Sequence, residues 1–374
     1  MKILIGGSPC THWSIAQTKN RETEASGIGW ELFLNYRIAR DKYHPDYFLY
    51  ENNKSMSPAI RAQITAELGV EPVLINSALV SAQNRQRLYW VGKREPDGTY
   101  SQVRVEQPED KGILLRDILE SGAVTWHEKA YTLRASAATK QGVSNVLRHI
   151  ETNGHFGYMG VAEPVNMTVD GKAQCLRATY YKDGIRNMVG NTVDRKTCVA
   201  VPVGTATGPR SILVVTAPGK SMPVYEVRNG RIAIKGKEYP IKLADGFYII
   251  RKLTVTECKR LQTVPDTYAF PVSDTQAYKM LGNGWTVDVI VHIMSHFEGL
   301  TAEPVEVLSM YDGMSCGHIA LDKLGVDITA YYATEIDKYA VQTTKHNFPE
   351  TVQLGDAFQV RDEEWRPRRA EGVE

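Results

Sequence analysis

The chain predicts an open α/β sheet covered by helices, with a smaller, mostly β region set into it. Two observations carry this. Apolar strand-like runs alternate with helical spacing over residues 1–98 and again over 305–360, the pattern of parallel strands joined by crossover helices. Between them, residues 121–250 change character to short β-like runs with many glycines and frequent Lys and Arg. The chain therefore divides into 1–120, 121–250 and 251–374, with the first and last parts sharing the α/β character.

Residues 2–5 read as a buried strand. Residues 30–41 have helical spacing through Leu32, Phe33, Tyr36 and Ile38. A second strand follows at 47–50. A helix over 58–68 is bracketed by Ser57 before it, Pro58 in its first turn and Gly69 at its end. Residues 74–80 and 87–92 read as further strands, and 99–120 as a polar, Pro-containing bridge. A helix over 254–261 opens with Thr254 and Glu257 at capping-box spacing. Residues 275–297 are helical but interrupted at 282–284. Strands at 305–311, 329–334 and 351–354 alternate with helices at 317–324 and 337–347. The charged tail reads as fraying beyond a short helix.

A net charge of +1 conceals an asymmetry: residues 121–252 hold 19 Lys and Arg against 9 Asp and Glu, and the remainder 25 against 34. A segment this basic suits a polyanionic partner. Within it, KAYTLRAS at 129–136 resembles KAQCLRAT at 172–179, a weak internal repeat. The five cysteines are scattered without a Cys-x-x-Cys pair, which argues against a zinc ribbon or a disulfide framework and fits a reducing compartment. The first strand runs into Gly-Gly-Ser-Pro too early for a signal peptide, and no apolar run approaches membrane length. The expectation is a soluble cytoplasmic protein with no metal.

Four groups of residues carry chemistry. Cys10 follows Gly6-Gly7-Ser8-Pro9 at the carboxyl end of the first strand, where open α/β sheets bind ligands. Pro9 fixes a backbone angle just before it; a nucleophile and an inert buried cysteine both fit. Glu51-Asn52-Asn53 follows the second strand, with Glu51 readable as a general acid, a substrate anchor or a helix cap. Gln83, Arg85 and Arg87 alternate, so a strand would turn them to one face. Two guanidiniums there seek phosphates or a polar base edge. Finally, Tyr311-Asp312-Gly313 ends one strand, and Glu335 and Asp356 close the next two. A glycine turn with acids at successive strand ends is the pattern for a nucleotide-like cofactor. The absence of G-x-G-x-x-G speaks against a pyrophosphate cofactor.

Taken together these blocks resemble the DNA cytosine-5 methyltransferases. GGSPCTHWS, ENN, QNRQR, RKLTVTECKRLQTVPDTY and KMLGNGW are similar, in that order, to the family's later blocks; LSMYDGMSCG, the Glu335 block and GDAF are similar to its early ones. The order is rotated, with the cut between the third strand of the cofactor half and the strand leading to Pro-Cys. The resemblance covers all but the basic middle region. YDGMSCG and PCTHWS are nearest in wording to the branch that holds the animal de novo enzymes and phage and bacterial relatives.

The resemblance implies a Rossmann-like, S-adenosylmethionine-dependent methyltransferase sheet in circularly permuted order, with a mostly β target-recognition domain at 121–250. Permutation at an exposed loop would leave residues 1 and 374 on the same side of one domain. The implied substrate is a flipped-out cytosine in double-stranded DNA. Cys10 would attack ring carbon 6, Glu51 would hold or protonate ring nitrogen 3, Arg87 would bind the carbonyl oxygen, and Arg85 would support the Cys10 loop or a phosphate. For S-adenosylmethionine, Tyr311 would stack on adenine beside Asp312 and Gly313. Glu335 would take the ribose hydroxyls, Asp356 the adenine amino group, and Asn283 and Trp285 the methionine end, with Pro9, Ile336 and Ala357 also in the cofactor site. Ser14, Arg134, Lys140, Arg177, Lys182 and Arg186 are the candidate DNA contacts. A cognate restriction endonuclease is a candidate partner. Residues 11–29 would form the loop that closes over DNA, with Gly27 and Gly29 as its hinge. Thr11, Asn53, Lys54 and Tyr311 depart from the family's commoner residues, and none of these changes removes a reacting group. Two other readings stay open: a tRNA cytosine methyltransferase, and a catalytically inactive DNA-binding regulatory subunit.

Overall fold

The computed structural model describes residues 1–14, 21–120, 123–125, 128–130, 132–133, 161–164, 200–202, 212–217, 220–234, 236–251 and 253–368. The chain forms two compact units: one from Met1–Ile113 with Lys259–Glu374, the other Leu114–Cys258.

Eight strands make the sheet of the first unit: β1 (Lys2–Gly6), β2 (Tyr47–Asn53), β3 (Pro72–Asn76), β4 (Gln86–Arg94), β5 (Tyr100–Gln102), β13 (Val305–Met310), β14 (Ile328–Thr334) and β15 (Val352–Gly355). Their order is β15-β14-β13-β1-β2-β4-β3, with β5 on β4. β1 pairs in parallel with both β13 and β2, so the first strand of the chain lies beside one from its far end. The Met1 ammonium donates to the Pro304 carbonyl at 2.8 Å. The rotated order read from the sequence is thus the order of the sheet, with β13–β15 on one side of β1 and β2, β4 and β3 on the other. Residue 374, expected near residue 1, lies outside the described residues.

The middle strands carry continuous apolar runs, over residues 3–5 and 47–50, because helices cover both faces. Ile3, Leu4 and Ile5 have no exposed surface, and every residue of β2 is buried. The helix Gly27–Tyr43 lays Trp30, Phe33 and Tyr36 onto the sheet. The helix Cys316–Leu324 approaches so closely that a Cβ on Gly317 would lie 2.1 Å from Ile5 Cδ1, so any larger residue there would force the Ile5 side chain to move. The helix Pro58–Leu68 has the expected ends, with the Ser57 hydroxyl accepting the Ile60 N–H and Gly69 left-handed at φ 76°.

Three elements differ from the sequence reading. The strand expected at 74–80 stops at Asn76, whose side-chain oxygen accepts the Ala78 and Arg85 N–H groups. That bond turns the chain into the 3-10 helix Ser77–Leu79. Consequently β4 begins at Gln86, and Gln83 and Arg85 precede it instead of sharing one strand face with Arg87. The tail does not fray at once: Arg361 in the 3-10 turn Ala357–Arg361 binds Glu31 Oε2 and Asn35 Oδ1, each at 2.6 Å, and Trp365 joins the core. The interruption near 282–284 is present, separating the helices Asp274–Asn283 and Val287–Met294.

His318, 4% exposed, is stacked between Phe348 and Tyr331 at centroid distances of 3.8 and 4.5 Å. Burial pushes its pKa down from 6.5 to about 4, although Asp322 and Glu350 oxygens stand 3.7 and 3.5 Å from Nε2. A histidine kept neutral by the fold stabilises it above pH 6.5, and that contribution is lost as the pH falls from 6.5 towards 4. Asp312 acts in the opposite sense, because burial raises its carboxyl to about 6. Comparison with His318→Phe, which keeps the stack, isolates the histidine. Between pH 7 and pH 5 the native protein is expected to lose about 2 kcal/mol more unfolding free energy in urea than the variant. Equal losses would show that His318 stays unprotonated in the unfolded chain or protonates freely in the fold.

The second unit is an antiparallel sheet of β6 (Val161–Pro164), β7 (Ala200–Pro202), β8 (Ile212–Ala217), β9 (Lys220–Arg228), β10 (Arg231–Ile234), β11 (Lys237–Pro240) and β12 (Gly246–Arg251). Asn229 and Gly230 make the β9–β10 turn at φ 52° and 66°, the left-handed pair that a two-residue hairpin requires. Ile232, Ile234, Tyr239 and Ile250 are among its core residues. The Thr254 capping box forms as read: Glu257 Oε2 accepts the Thr254 N–H at 2.8 Å, and Thr254 Oγ1 accepts the Glu257 N–H at 3.2 Å. Among the described residues no helix is long and apolar enough to cross a membrane.

Candidate active site

Strand register assembles the site. Gly6 pairs with both Met310 and Tyr50, so the next residues along the strand direction, Gly7, Tyr311 and Glu51, emerge side by side at the carboxyl edge. β4 runs back against β2 with Asn53 opposite Arg87, which returns Arg87 to the same edge. Open parallel sheets bind their ligands at this edge.

Cys10 begins the 3-10 turn Cys10–His12 directly after β1. The approach to it is fixed by a polar cluster. The Ser8 and Tyr50 hydroxyls are 2.7 Å apart, and Asn52 Nδ2 donates to the Ser8 carbonyl at 3.2 Å and to the Tyr50 hydroxyl at 3.1 Å. Pro9, exposed, then leads into the turn. Beyond the turn, buried Trp13 donates to Glu22 Oε2 at 3.1 Å, and the Glu22 N–H returns to the His12 carbonyl at 2.9 Å. Ser14 is half-buried just past it. The other cysteine of this unit, Cys316, is buried, and burial pushes its thiol up to about 12; at that value it is a core residue.

Glu51 lies near the carboxyl end of β2 with 12% of its side chain exposed. Arg87 Nε meets its Oε1 at 3.0 Å, and the Trp285 indole N–H donates to its Oε2 at 3.0 Å. Gly7 makes room for this, since a Cβ there would lie 2.7 Å from the Glu51 carbonyl oxygen and 2.9 Å from Oε2. Arg85, 3% exposed, instead donates to the carbonyls of Gly282 at 3.3 Å and Gly284 at 2.9 Å. Gln83 continues that network, with Gln262 and Thr286, which sequence reading left without a role. Gln262 Nε2 donates to the Leu281 carbonyl at 2.6 Å, Thr286 Oγ1 donates to Gln262 Oε1 at 2.9 Å, and Gln83 Nε2 reaches the Leu261 carbonyl at 3.3 Å. A lone glutamine carries no local signal for such a bond.

The ends of β13, β14 and β15 line the adjoining part of the edge. Tyr311 and Gly313 are left-handed, at φ 61° and 59°. Tyr311 donates its hydroxyl to the Leu32 carbonyl at 2.7 Å, and burial raises its phenol well above the usual tyrosine range. Glu335 Oε2 accepts the Gly313 N–H at 2.8 Å, while Oε1 accepts those of Ile336 and Asp337. Asp312 turns inward, accepting from the Tyr331 hydroxyl at 2.8 Å and the Ser315 hydroxyl at 2.5 Å. Asp356 is exposed, accepting the Phe358 N–H at 2.9 Å, and Ala357 behind it is buried. Ile336 is 75% exposed beside these acids. An apolar face flanked by carboxylates and an open glycine turn matches a ligand that pairs a flat ring with hydroxyls. Asn283 is exposed at the end of its helix. Of the candidate DNA contacts, Arg134, Lys140, Arg177, Lys182 and Arg186 lie outside the described residues.

A family model described as C-5 cytosine-specific DNA methylase matches residues 1–298. The match ends before β13, where the rotated order joins the two halves of the sheet. Among curated relatives, the type II methyltransferase M.HpaII of Haemophilus parainfluenzae is 26% identical over 77% of this chain and 69% of its own length. The type II methyltransferase M1.ScrFI of Lactococcus lactis subsp. cremoris is 27% identical over 77% of this chain and 60% of its own. The orphan methyltransferase M.SPRI of Bacillus phage SPR is 23% identical over 78% of this chain and 81% of its own.

Proposed function

Because this chain belongs to the C-5 cytosine-specific DNA methylases, we propose that it transfers a methyl group from S-adenosylmethionine to carbon 5 of a cytosine swung out of duplex DNA. The observation that carries the reading is the single sheet edge shared by the Cys10 turn, the Glu51–Arg87 pair and the cofactor-type strand ends. Tyr311, Gly313, Glu335, Ile336 and Asp356 suit the adenosine moiety, and Asn283 and Trp285 the methionine end. Bound there, S-adenosylmethionine supplies an electrophilic methyl group.

Cytosine carbon 5 is a weak nucleophile, and the residues at this edge can raise its reactivity. Cys10, as thiolate, adds to ring carbon 6. The electron pair of the 5,6 double bond then becomes available at carbon 5. Glu51 at ring nitrogen 3 and Arg87 at the carbonyl oxygen offset the charge that develops on the ring. After methylation, loss of the carbon-5 proton and departure of the Cys10 sulfur restore the aromatic base. The antiparallel unit at 114–258, with the basic stretch 121–252, is the part of the chain assigned to target recognition.

The test is transfer of labelled methyl groups from S-adenosylmethionine to unmethylated duplex DNA and, separately, to tRNA. Label on DNA cytosine is the expected result, and sequencing the product gives the target site. Label on tRNA alone would move the substrate to RNA. Binding of DNA with no label on either would favour an inactive subunit.

A further inference from the structure

Two donors grip the two oxygens of the Glu51 carboxylate from different parts of the chain. Arg87 comes from β4, and Trp285 comes from the break between two helices. A carboxylate held at both oxygens can neither rotate nor swing away, and each oxygen keeps a lone pair for a ligand. The turn that carries Trp285 is itself held. The Gly284 carbonyl accepts from Arg85 Nη2 at 2.9 Å and from Gln262 Nε2 at 3.3 Å. Thr286 on the other side of Trp285 is tied to Gln262. The same stretch of chain therefore delivers Arg87 to Glu51 directly and, through Arg85, anchors the turn that delivers Trp285. A wall of the cofactor site would need only the indole ring; here the indole N–H is committed to Glu51.

We infer that Trp285 is a positioning residue for Glu51: its N–H fixes the carboxylate that meets the target base, and Arg85 holds the turn that carries it. This rests on the role of Glu51 in cytosine methylation. Trp285→Phe keeps the ring and removes only the donor. In the full-length protein, kcat on duplex DNA is expected to fall roughly 10- to 100-fold, the effect of one lost hydrogen bond to a charged group. The KM for S-adenosylmethionine is expected to stay within about twofold, because the ring remains. In a Glu51→Ala background Trp285→Phe is expected to add nothing further, since the two act as one unit. Glu51→Ala is also expected to shift the NMR signal of the Trp285 indole N–H, a readout independent of turnover. Unchanged kcat in Trp285→Phe, or a loss confined to the KM for S-adenosylmethionine, overturns the inference and makes Trp285 a cofactor wall. An indole signal unmoved by Glu51→Ala in an active enzyme overturns it as well. A native protein that methylates no cytosine removes the reaction reading, and the positioning role with it.

Discussion

Cys10→Ala is expected to abolish methyl transfer to cytosine, lowering the rate by about 10⁴-fold or more, because the variant lacks the thiolate that opens the addition at carbon 6. The site supports this in two ways. The Ser8–Tyr50–Asn52 cluster fixes the chain just before Pro9, so the turn that starts at Cys10 leaves β1 in one direction. The other cysteine of the same unit is no substitute, since burial holds the Cys316 thiol near 12. The variant should still bind duplex DNA, but a duplex carrying 5-fluorocytosine at the target should trap the native protein covalently and not the variant. Residual transfer near the native rate would remove Cys10 as the nucleophile.

Glu51→Ala is the second large effect. Catalysis should fall by about 10²- to 10⁴-fold, the range for a positioned acid–base group. Stability should fall too. Glu51 and Arg87 expose only 12% and 14% of their side chains, and removing one partner of a buried pair typically costs about 3 kcal/mol or more. Glu51→Gln separates the two effects. Its amide oxygen still accepts one hydrogen bond, so most of the stability should return while the rate stays low. Urea unfolding and single-turnover methylation of the two variants check this. Equal rates for glutamine and glutamate would leave Glu51 with a structural part only.

The strand-end positions of the candidate site residues were legible because each stands beside a strong local signal. Cys10, Glu51, Tyr311, Glu335 and Asp356 all follow strand-like runs, which place them at or near the carboxyl ends of β1, β2, β13, β14 and β15. The left-handed Gly69 and the Thr254–Glu257 box were legible for the same reason: their hydrogen bonds close within a few residues. Arg85 shows where such reading stops. Alternation put it on a strand with Gln83 and Arg87, but the Asn76 side chain competes for the Arg85 N–H and starts the strand later. Its guanidinium then reaches carbonyls nearly two hundred residues further along the chain. The anchoring of the tail was out of reach likewise, since nothing local indicates that Arg361 will find Glu31 and Asn35.

By itself, the sequence determined most element types, the rotated block order and the candidate site residues. These follow from side-chain periodicity and from backbone bonds that close locally. Only the tertiary structure decided that β1 lies between β13 and β2, that Glu51 is gripped by both Arg87 and Trp285, and that Asp312 turns into the core. Those outcomes depend on strand register and on contacts between distant segments. Their energies arise only when the sheet has formed and brings the partners together.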